Sequence, residues 1–302
     1  MISEAEREDR ARRVGDLCAC PSCHSHLIWS ADSVHCATCA ATYERRDGIP
    51  ILMPADMDLL PTETRWIPPA ALASHPRLNA FVNRARSRVS IPLTYKSKRS
   101  RELVQHFVGS FSPGETVLNV GAGATCYGTA VVNLEVAPSP GIDVVGVAEA
   151  LPVATDSCAG LILMAVLEHV QNADKTLAEA RRVLVAGGRI LVDVPFIQGY
   201  HASPSDYRRY TEQGLRAEME RFGFDVVDSG IAVGPASAMA WITSEFLALL
   251  VSGRSAFAYR VARKMTSLIA VPIKYADYWL EGHPMASRIP SAVWVIARVP
   301  KR

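Results

Sequence analysis

The sequence predicts an α/β chain: a mostly parallel seven-stranded sheet with helices on both faces, preceded by a small β-rich ribbon. Three observations carry this expectation. From Glu115 onward, short apolar runs alternate with amphipathic segments of helical period, as when strands cross over through helices. The first of those runs, "TVLNVGAG", ends in glycines, as strands do where a ligand meets their carboxyl ends. Upstream, "CPSCHSHLIWSADSVHCATC", residues 20 to 39, sets two Cys-x-x-Cys pairs twelve residues apart.

At 302 residues, with 49% apolar and 21% charged side chains, the chain can build one large domain or two smaller ones. That composition excludes a disordered protein. A net charge of +2 without a basic, aromatic-studded stripe gives no footprint for nucleic acid. The opening "MISEAEREDRARRVG" has no apolar core of the kind a secretory signal carries, so a cytoplasmic setting is expected. In that reducing compartment, seven cysteines favour a metal over disulfides.

In the predicted ribbon, residues 15 to 54, Cys20, Cys23, Cys36 and Cys39 can supply four thiolates to a tetrahedral zinc ion. Ile28, Trp29 and Tyr43 belong to a short β-ribbon around it, too small to fold without a staple. Cys18 could replace Cys20, and His24, His26 and His35 could compete as ligands. Four thiolates leave no open coordination position, so the metal is expected to be structural.

Residues 55 to 98 read as a linker with an N-terminal helix, with Pro61, Pro68, Pro69, Pro76 and Pro92, a helix near Arg77 to Val89, and the basic run "YKSKRSR" before another helix. The large domain, 99 to 302, follows. Its strands are "TVLNVGAG", "VVNLEV", "IDVVGV", "AGLILMAV", "RILVDVP", "FDVVDSG" and "SAVWVIARV". "ADKTLAEARRVL" is a helix that Gly187-Gly188 is expected to end, and Thr211 caps another that Gly223 stops.

Gly121 and Gly123 follow the first strand, but the sixth position of a dinucleotide fingerprint is Cys126 rather than glycine. Only eleven residues separate Gly123 from Glu135, so any helix between them is very short or absent. A helix N-terminus to cradle pyrophosphate is therefore missing, and a ligand with a ribose and no phosphate fits better. Glu135, closing the second strand, can accept hydrogen bonds from both ribose hydroxyls.

The ribbon, with Tyr43 and then Asp47-Gly48-Ile49-Pro50, resembles the zinc-ribbon activator subunits of tRNA methyltransferases. Asn119-Val120-Gly121-Ala122-Gly123, Glu135, Gly146-Val147-Ala148 with Leu151-Pro152, "AVLEHV" and "RRVLVAGGRILVDVP" resemble class I S-adenosylmethionine-dependent methyltransferases. That resemblance, over Arg99 to Gly230 and the last strand, implies a Rossmann-like sheet. It also implies that Gly121 and Gly123 face the methionine part of S-adenosylmethionine and Glu135 the ribose. Val147 and Ala148 would flank the adenine, and Met164 and Ala165 would lie beside the sulfonium. Two positions depart from the family. Asn119 stands where an acid is common and would bond the ammonium or a water. Val147 stands where an Asp usually reads the adenine amine, with Glu149 as a candidate substitute.

After the fifth strand, "FIQGYHASPSDYRRYT" is dense in polar groups. His201 is the expected base, with Asp206 as its orienting partner or an alternative base. Tyr207, Arg208, Arg209 and Tyr210 are expected to bind a hydroxylated or anionic acceptor. His169 is expected to be framework, and Cys126 and Cys158 to pack as small apolar side chains.

The insert at 235 to 290 is apolar with basic positions, and predicts a substrate lid or a homodimer face. Contact with the inner face of the membrane is the sharper alternative. The expected function is O-methylation of a small-molecule or glycan hydroxyl, lipid-linked in the sharper reading. A zinc-ribbon-assisted RNA methyltransferase and a non-catalytic module with a decayed cofactor pocket are the alternatives.

Overall fold

The computed structural model describes residues 4–55, 93–94, 98–123, 125–128, 130–203 and 205–301. The expected helix at Arg77 to Val89 and most of the linker lie outside the described residues. Helix α1 (Glu4–Leu17) precedes a four-stranded ribbon of β1 (Leu27–Trp29), β2 (Ser33–Cys36), β3 (Thr42–Arg46) and β4 (Ile49–Pro50), paired in that order. Helix α2 (Lys98–Gly109) leads into β5 (Val117–Val120), β6 (Val131–Glu135), β7 (Val144–Val145) and β8 (Cys158–Met164). Then come α3 (Ala173–Val183), β9 (Leu184–Pro195), α4 (Glu212–Arg221) and β10 (Asp225–Val233). The insert supplies α5 (Pro235–Ser252), α6 (Ala256–Ala270) and α7 (Asp277–Leu280), and β11 (Ala292–Arg298) closes the chain.

The seven strands run β10-β11-β9-β8-β5-β6-β7. Neighbours from β9 to β7 are parallel, and β11 lies antiparallel between β9 and β10. This is the α/β architecture the sequence predicts. Alternate residues serve the two faces: Leu118, Val132, Leu161, Val192 and Val295 face one core, and Val117, Val131, Ile162, Leu191 and Trp294 the other. Helix α2 covers the second face with Val104 and Phe107.

The first face is covered differently. Among the described residues, no helix connects β5 to β6, β6 to β7 or β7 to β8. Where those strands would lie bare, Val14 and Leu17 of α1 and Leu27, Val34, Tyr43 and Leu52 of the ribbon join Leu118, Val132, Leu134 and Val144 in one core. Helices α3 and α4 add Leu177, Ala180, Leu215 and Met219 to the same core. Backbone bonds tie the ribbon to the sheet: Ala19 N–H to Pro152 O at 3.1 Å, Ala154 N–H to Leu17 O at 3.0 Å, and Leu52 N–H to Val145 O at 2.8 Å. Residues of the ribbon and of the sheet thus share one core.

Two local expectations are corrected. The glycine pair does not end α3: the chain turns extended at Leu184, and Gly187 and Gly188 lie inside β9. Asn172 caps the start of that helix, its side chain accepting from Lys175 N–H, and Leu177 and Ala180 hold its buried stripe. Ile28 points to solvent, and Leu27 beside it is the buried ribbon residue. Thr211 caps α4 as expected, accepting from Gly214 N–H at 3.0 Å.

The insert is a helical hairpin. Helix α5 buries small residues (Ala236, Ala240, Ser244, Ala248 and Ser252, each four apart) and leaves Phe246, Leu249, Leu250 and Val251 exposed. Its N-cap, Gly234, offers no side chain. The fully buried Asp277 supplies the cap from α7, accepting from Ala236 N–H at 2.7 Å, Ser237 N–H at 2.9 Å and Ser237 Oγ at 2.6 Å. These are orphan donors of the first turn, and the carboxylate also meets the positive end of the helix dipole. A Cβ on Gly234 would collide with that carboxylate. Replacing Asp277 by Ala should lower the unfolding free energy by about 2 kcal/mol, since three bonds to a buried carboxylate are lost. Urea denaturation of Asp277→Ala and of the milder Asp277→Asn measures this, and equal stability of all three proteins would refute the cap.

Candidate functional site

The strand order reverses between β5 and β8, where the chain has gone one way to β6 and β7 and returns on the other side. The crevice beyond the carboxyl ends of these two strands is where an open α/β sheet takes its ligand. Gly121 leaves β5 with φ +67°, and a Cβ there would lie 2.5 Å from Val166 Cγ2. The residue must therefore be glycine both for its backbone and for this close approach. Gly123 has φ +55° and open space where a side chain would be.

Glu135, half-buried at the end of β6, accepts from Gly123 N–H at 2.8 Å through Oε2 and from Val136 N–H at 2.8 Å through Oε1. Gly121 and Gly123 are thus brought to one turn with Glu135, which lies twelve residues beyond Gly123 in the chain. Each carboxylate oxygen keeps a further lone pair for a ligand hydroxyl. Val147 and Ala148 are buried just past β7. Met164 and the exposed Ala165 end β8, and Ala165 takes a left-handed φ of +55° while donating its N–H to Asp193 O at 2.9 Å. A non-glycine residue in that region is strained, and such strain gathers at binding sites.

Asn119 and Glu149 are committed elsewhere. Buried Asn119 donates its side-chain amide to Asn133 Oδ1 at 3.0 Å on the neighbouring strand. Asn133 in turn donates its N–H to Asp143 at 2.7 Å and its amide to Gly141 O at 3.0 Å. Asp143 is paired with Arg10 of α1, whose ionised form it favours. Glu149 accepts from the N–H groups of Gln171 at 3.0 Å and Asn172 at 3.3 Å, at the entrance to α3, instead of standing in for the missing acid beside Val147.

On the far side of the crevice, the loop after β9 folds over the end of β8. Asp206, 1% exposed, pairs with both Arg209 guanidinium nitrogens and accepts from His201 N–H at 2.8 Å. Burial raises its carboxyl, but the Arg209 and His201 bonds outweigh that and hold it below the usual range. Through these contacts Asp206 anchors the loop. Arg208 is turned to the backbone, donating to Val170 O at 2.9 Å and Gln171 O at 3.1 Å. Tyr210 is half-buried against the core, and of the four expected acceptor contacts only Tyr207 is exposed.

His201 faces an unexpected partner. Its Nδ1–H donates to Gly199 O at 3.1 Å, and its Nε2 lies 3.8 Å from Glu168 Oε1. His169 is placed alike: Nδ1–H donates to Ser205 O at 2.6 Å, and Nε2 lies 3.7 Å from the same oxygen. Glu168 has no solvent exposure, and neither carboxylate oxygen has a hydrogen-bond partner. Burial lowers the His201 imidazolium pKa, but Glu168, Gly199 O and Asp206 outweigh it, so the net shift is upward. Trp241 of α5 packs 5.5 Å from the His201 ring. Sequence reasoning passed over Glu168 and Trp241. The one signal was an acid inside the apolar run "MAVLEHV".

The four expected cysteines converge in the ribbon. Cys20 and Cys39 Sγ are 3.6 Å apart, Cys23 and Cys36 Sγ 3.4 Å, and all four lie within 4.8 Å of one another. The N–H groups of Thr38 and Cys39 both point at Cys36 Sγ at 3.4 Å. Cys18, His24, His26 and His35 are outside the group; His35 bonds Ser33 and Thr42 instead. Cys158 is buried as expected, whereas Cys126 is exposed.

Residues 120–192, from the end of β5 into β9, match a family model described as a methyltransferase domain. No curated protein matches the chain in sequence. Among solved structures, the chain is similar to a 1,6-didemethyltoxoflavin N1-methyltransferase from Burkholderia thailandensis with S-adenosylhomocysteine bound, at 15% identity over 90% of this chain and 100% of that one, TM-score 0.41. It is also similar to a phosphoethanolamine N-methyltransferase 2 from Haemonchus contortus with S-adenosylmethionine bound, at 14% identity over 67% and 52%, TM-score 0.42. A third is a SAM-dependent methyltransferase from Archaeoglobus fulgidus, at 16% identity over 72% and 99%, TM-score 0.38.

Gly121→Ala should cost about 2 kcal/mol of stability, through its backbone conformation and the collision with Val166. Adding Val166→Ala should recover only the steric part. Thermal denaturation of the single and double variants checks this, and full recovery would show that the left-handed turn contributes nothing.

Proposed function

We propose that this S-adenosylmethionine-dependent methyltransferase transfers its methyl group to a hydroxyl of a small-molecule or glycan acceptor carried on a lipid. The observation that supports cofactor placement is the Gly121–Gly123 turn held against Glu135 at the strand reversal, with no helix after it among the described residues. In this reading, Glu135 accepts from the ribose hydroxyls and the glycine turn admits the methionine part. Val147 and Ala148 line the adenine, with shape rather than a carboxylate selecting it. Met164 and Ala165 border the sulfonium. Asn119 supports the pocket from below through Asn133. When bound, the cofactor supplies an electrophilic methyl group, and the chain's own task is to align an acceptor oxygen with it. The acceptor enters under the loop 196 to 210, beside His201, with Tyr207 exposed to contact it. Cys20, Cys23, Cys36 and Cys39 hold a structural zinc; their sulfur spacings suit a tetrahedron of bonds of about 2.3 Å.

The lipid part rests on the hairpin. Its interior is polar: Ser244 bonds Thr266 at 3.2 Å and Ser267 at 3.3 Å, and Arg263 pairs with Glu245 at 2.7 Å. Its exterior carries Leu250, Phe257, Met265 and Ile269, each more than half exposed, and Tyr278 and Trp279 at 74%. Small and polar residues between helices with large apolar ones outside is the arrangement of helices in contact with lipid. Helix α5 is long and apolar enough to cross a bilayer, but its small-residue face is packed in the protein, so the pair lies along the membrane surface. The exposed Arg254 and Lys264 suit anionic headgroups.

Calorimetry should show S-adenosylmethionine binding that Glu135→Ala weakens by at least about tenfold, or about 1.4 kcal/mol. Undiminished binding in that variant would remove Glu135 from the pocket. On sedimentation with anionic vesicles, the protein should pellet, and Leu250→Glu with Phe257→Glu should leave it in the supernatant. Failure to pellet, together with a dimer in light scattering that the same substitutions split, would assign the hairpin to a second copy of the chain.

A further inference from the structure

We propose that Glu168, His169 and His201 bind a divalent first-row transition cation, and that this cation holds the acceptor hydroxyl for methyl transfer. Three ligand atoms, one carboxylate oxygen and two imidazole nitrogens, lie within 4.8 Å of one another. Glu168 is fully buried, and neither of its oxygens has a hydrogen-bond partner. A buried carboxylate is strongly destabilised in such a state unless positive charge compensates it. Arg209 is paired with Asp206, although the Glu168 charge also favours its ionised form.

The two imidazoles are prepared for this in the same way. Each gives its Nδ1–H to a backbone carbonyl, His169 to Ser205 at 2.6 Å and His201 to Gly199 at 3.1 Å. Each Nε2 is thereby turned towards Glu168, where it can carry a proton or meet a metal ion. Two imidazoles and a carboxylate converging on one point call for positive charge between them, and a cation can supply it in place of protons on the two Nε2 atoms. A carbonyl behind each ligating imidazole is also the usual support of a metal site. The Nε2 atoms stand 3.7 and 3.8 Å from Glu168 Oε1. Tetrahedral bonds of about 2.0–2.1 Å place ligand atoms about 3.3–3.4 Å apart, so the site needs to contract by only a few tenths of an ångström.

Two histidines and one carboxylate leave coordination positions open, unlike the four cysteines of the ribbon. The His201 side chain is 25% exposed, which gives an acceptor access from one side. Trp241 walls the other. The inference rests on the hydroxyl acceptor proposed above: coordinated oxygen loses its proton to water, an O–CH3 bond forms, the S–CH3 bond breaks, and the sulfonium becomes a neutral thioether. In this arrangement His201 is a ligand, and coordination takes over the acidifying task expected of a base.

Metal analysis and cobalt(II) titration of the whole chain test it. The wild type should hold two equivalents, one showing thiolate-to-cobalt absorption from the ribbon and one without it. In Glu168→Gln, which keeps the side chain's shape, and in His169→Ala, the second equivalent should weaken at least thirtyfold. The thiolate band and S-adenosylmethionine binding should persist in both, showing that the fold is intact. Removing the second cation with a mild chelator should abolish methyl transfer to the acceptor. The proposal is overturned if the variants bind as many equivalents as the wild type, or if transfer is unchanged once the second cation is gone. Absence of S-adenosylmethionine binding in the wild type would strike the methyltransferase reading instead, and leave the metal count to stand.

Discussion

A parallel sheet has two faces to cover, and half of one face of this sheet has no crossover helix among the described residues to cover it. The packing of α1 and the ribbon against β5, β6 and β7 resolves that constraint. A small cysteine-rich ribbon cannot bury enough surface to fold alone, and an uncovered parallel sheet would expose its apolar side chains to water. Each unit supplies what the other lacks. The polar chain from Arg10 through Asp143 and Asn133 to Asn119 then links α1 to the interior of the strand that carries the glycine turn. The ribbon and α1 therefore share one core with the sheet rather than forming a separate appendage.

The crevice gathers two unlike halves. One is built mostly of backbone: glycines at positive φ, and a glutamate that fixes the turn through its N–H groups. The other is built of side chains on a folded loop, where Asp206 and Arg209 consume each other's charge and hold His201 by its main chain. Glu168 then stands buried between two imidazoles with no neutralising partner at hydrogen-bond distance.

The hairpin reverses the usual distribution of polar and apolar groups, with hydroxyls and an Arg–Glu pair inside and large apolar side chains outside. Its first helix is capped by Asp277 from the far end of the insert, so the hairpin and α7 hold together as a unit. Trp241 brings that unit into contact with the histidine cluster.

The sequence alone determined the features that depend on local spacing. The Cys-x-x-Cys pairs, the seven strand runs, the Gly121–Gly123 turn with Glu135, and the cap at Thr211 each follow from spacing within about a dozen positions, and each is found. The identity of Cys20 over Cys18, the end of α3 before Gly187, the burial of Glu168 and the docking of α1 were decided only by tertiary structure. Arg10 and Asp143 lie 133 residues apart in the chain, and Glu168 and His201 lie on different elements, so no period or spacing connects them. Alternating polarity tells which residues face a core. Which buried polar group is left without a partner depends on everything that packs around it.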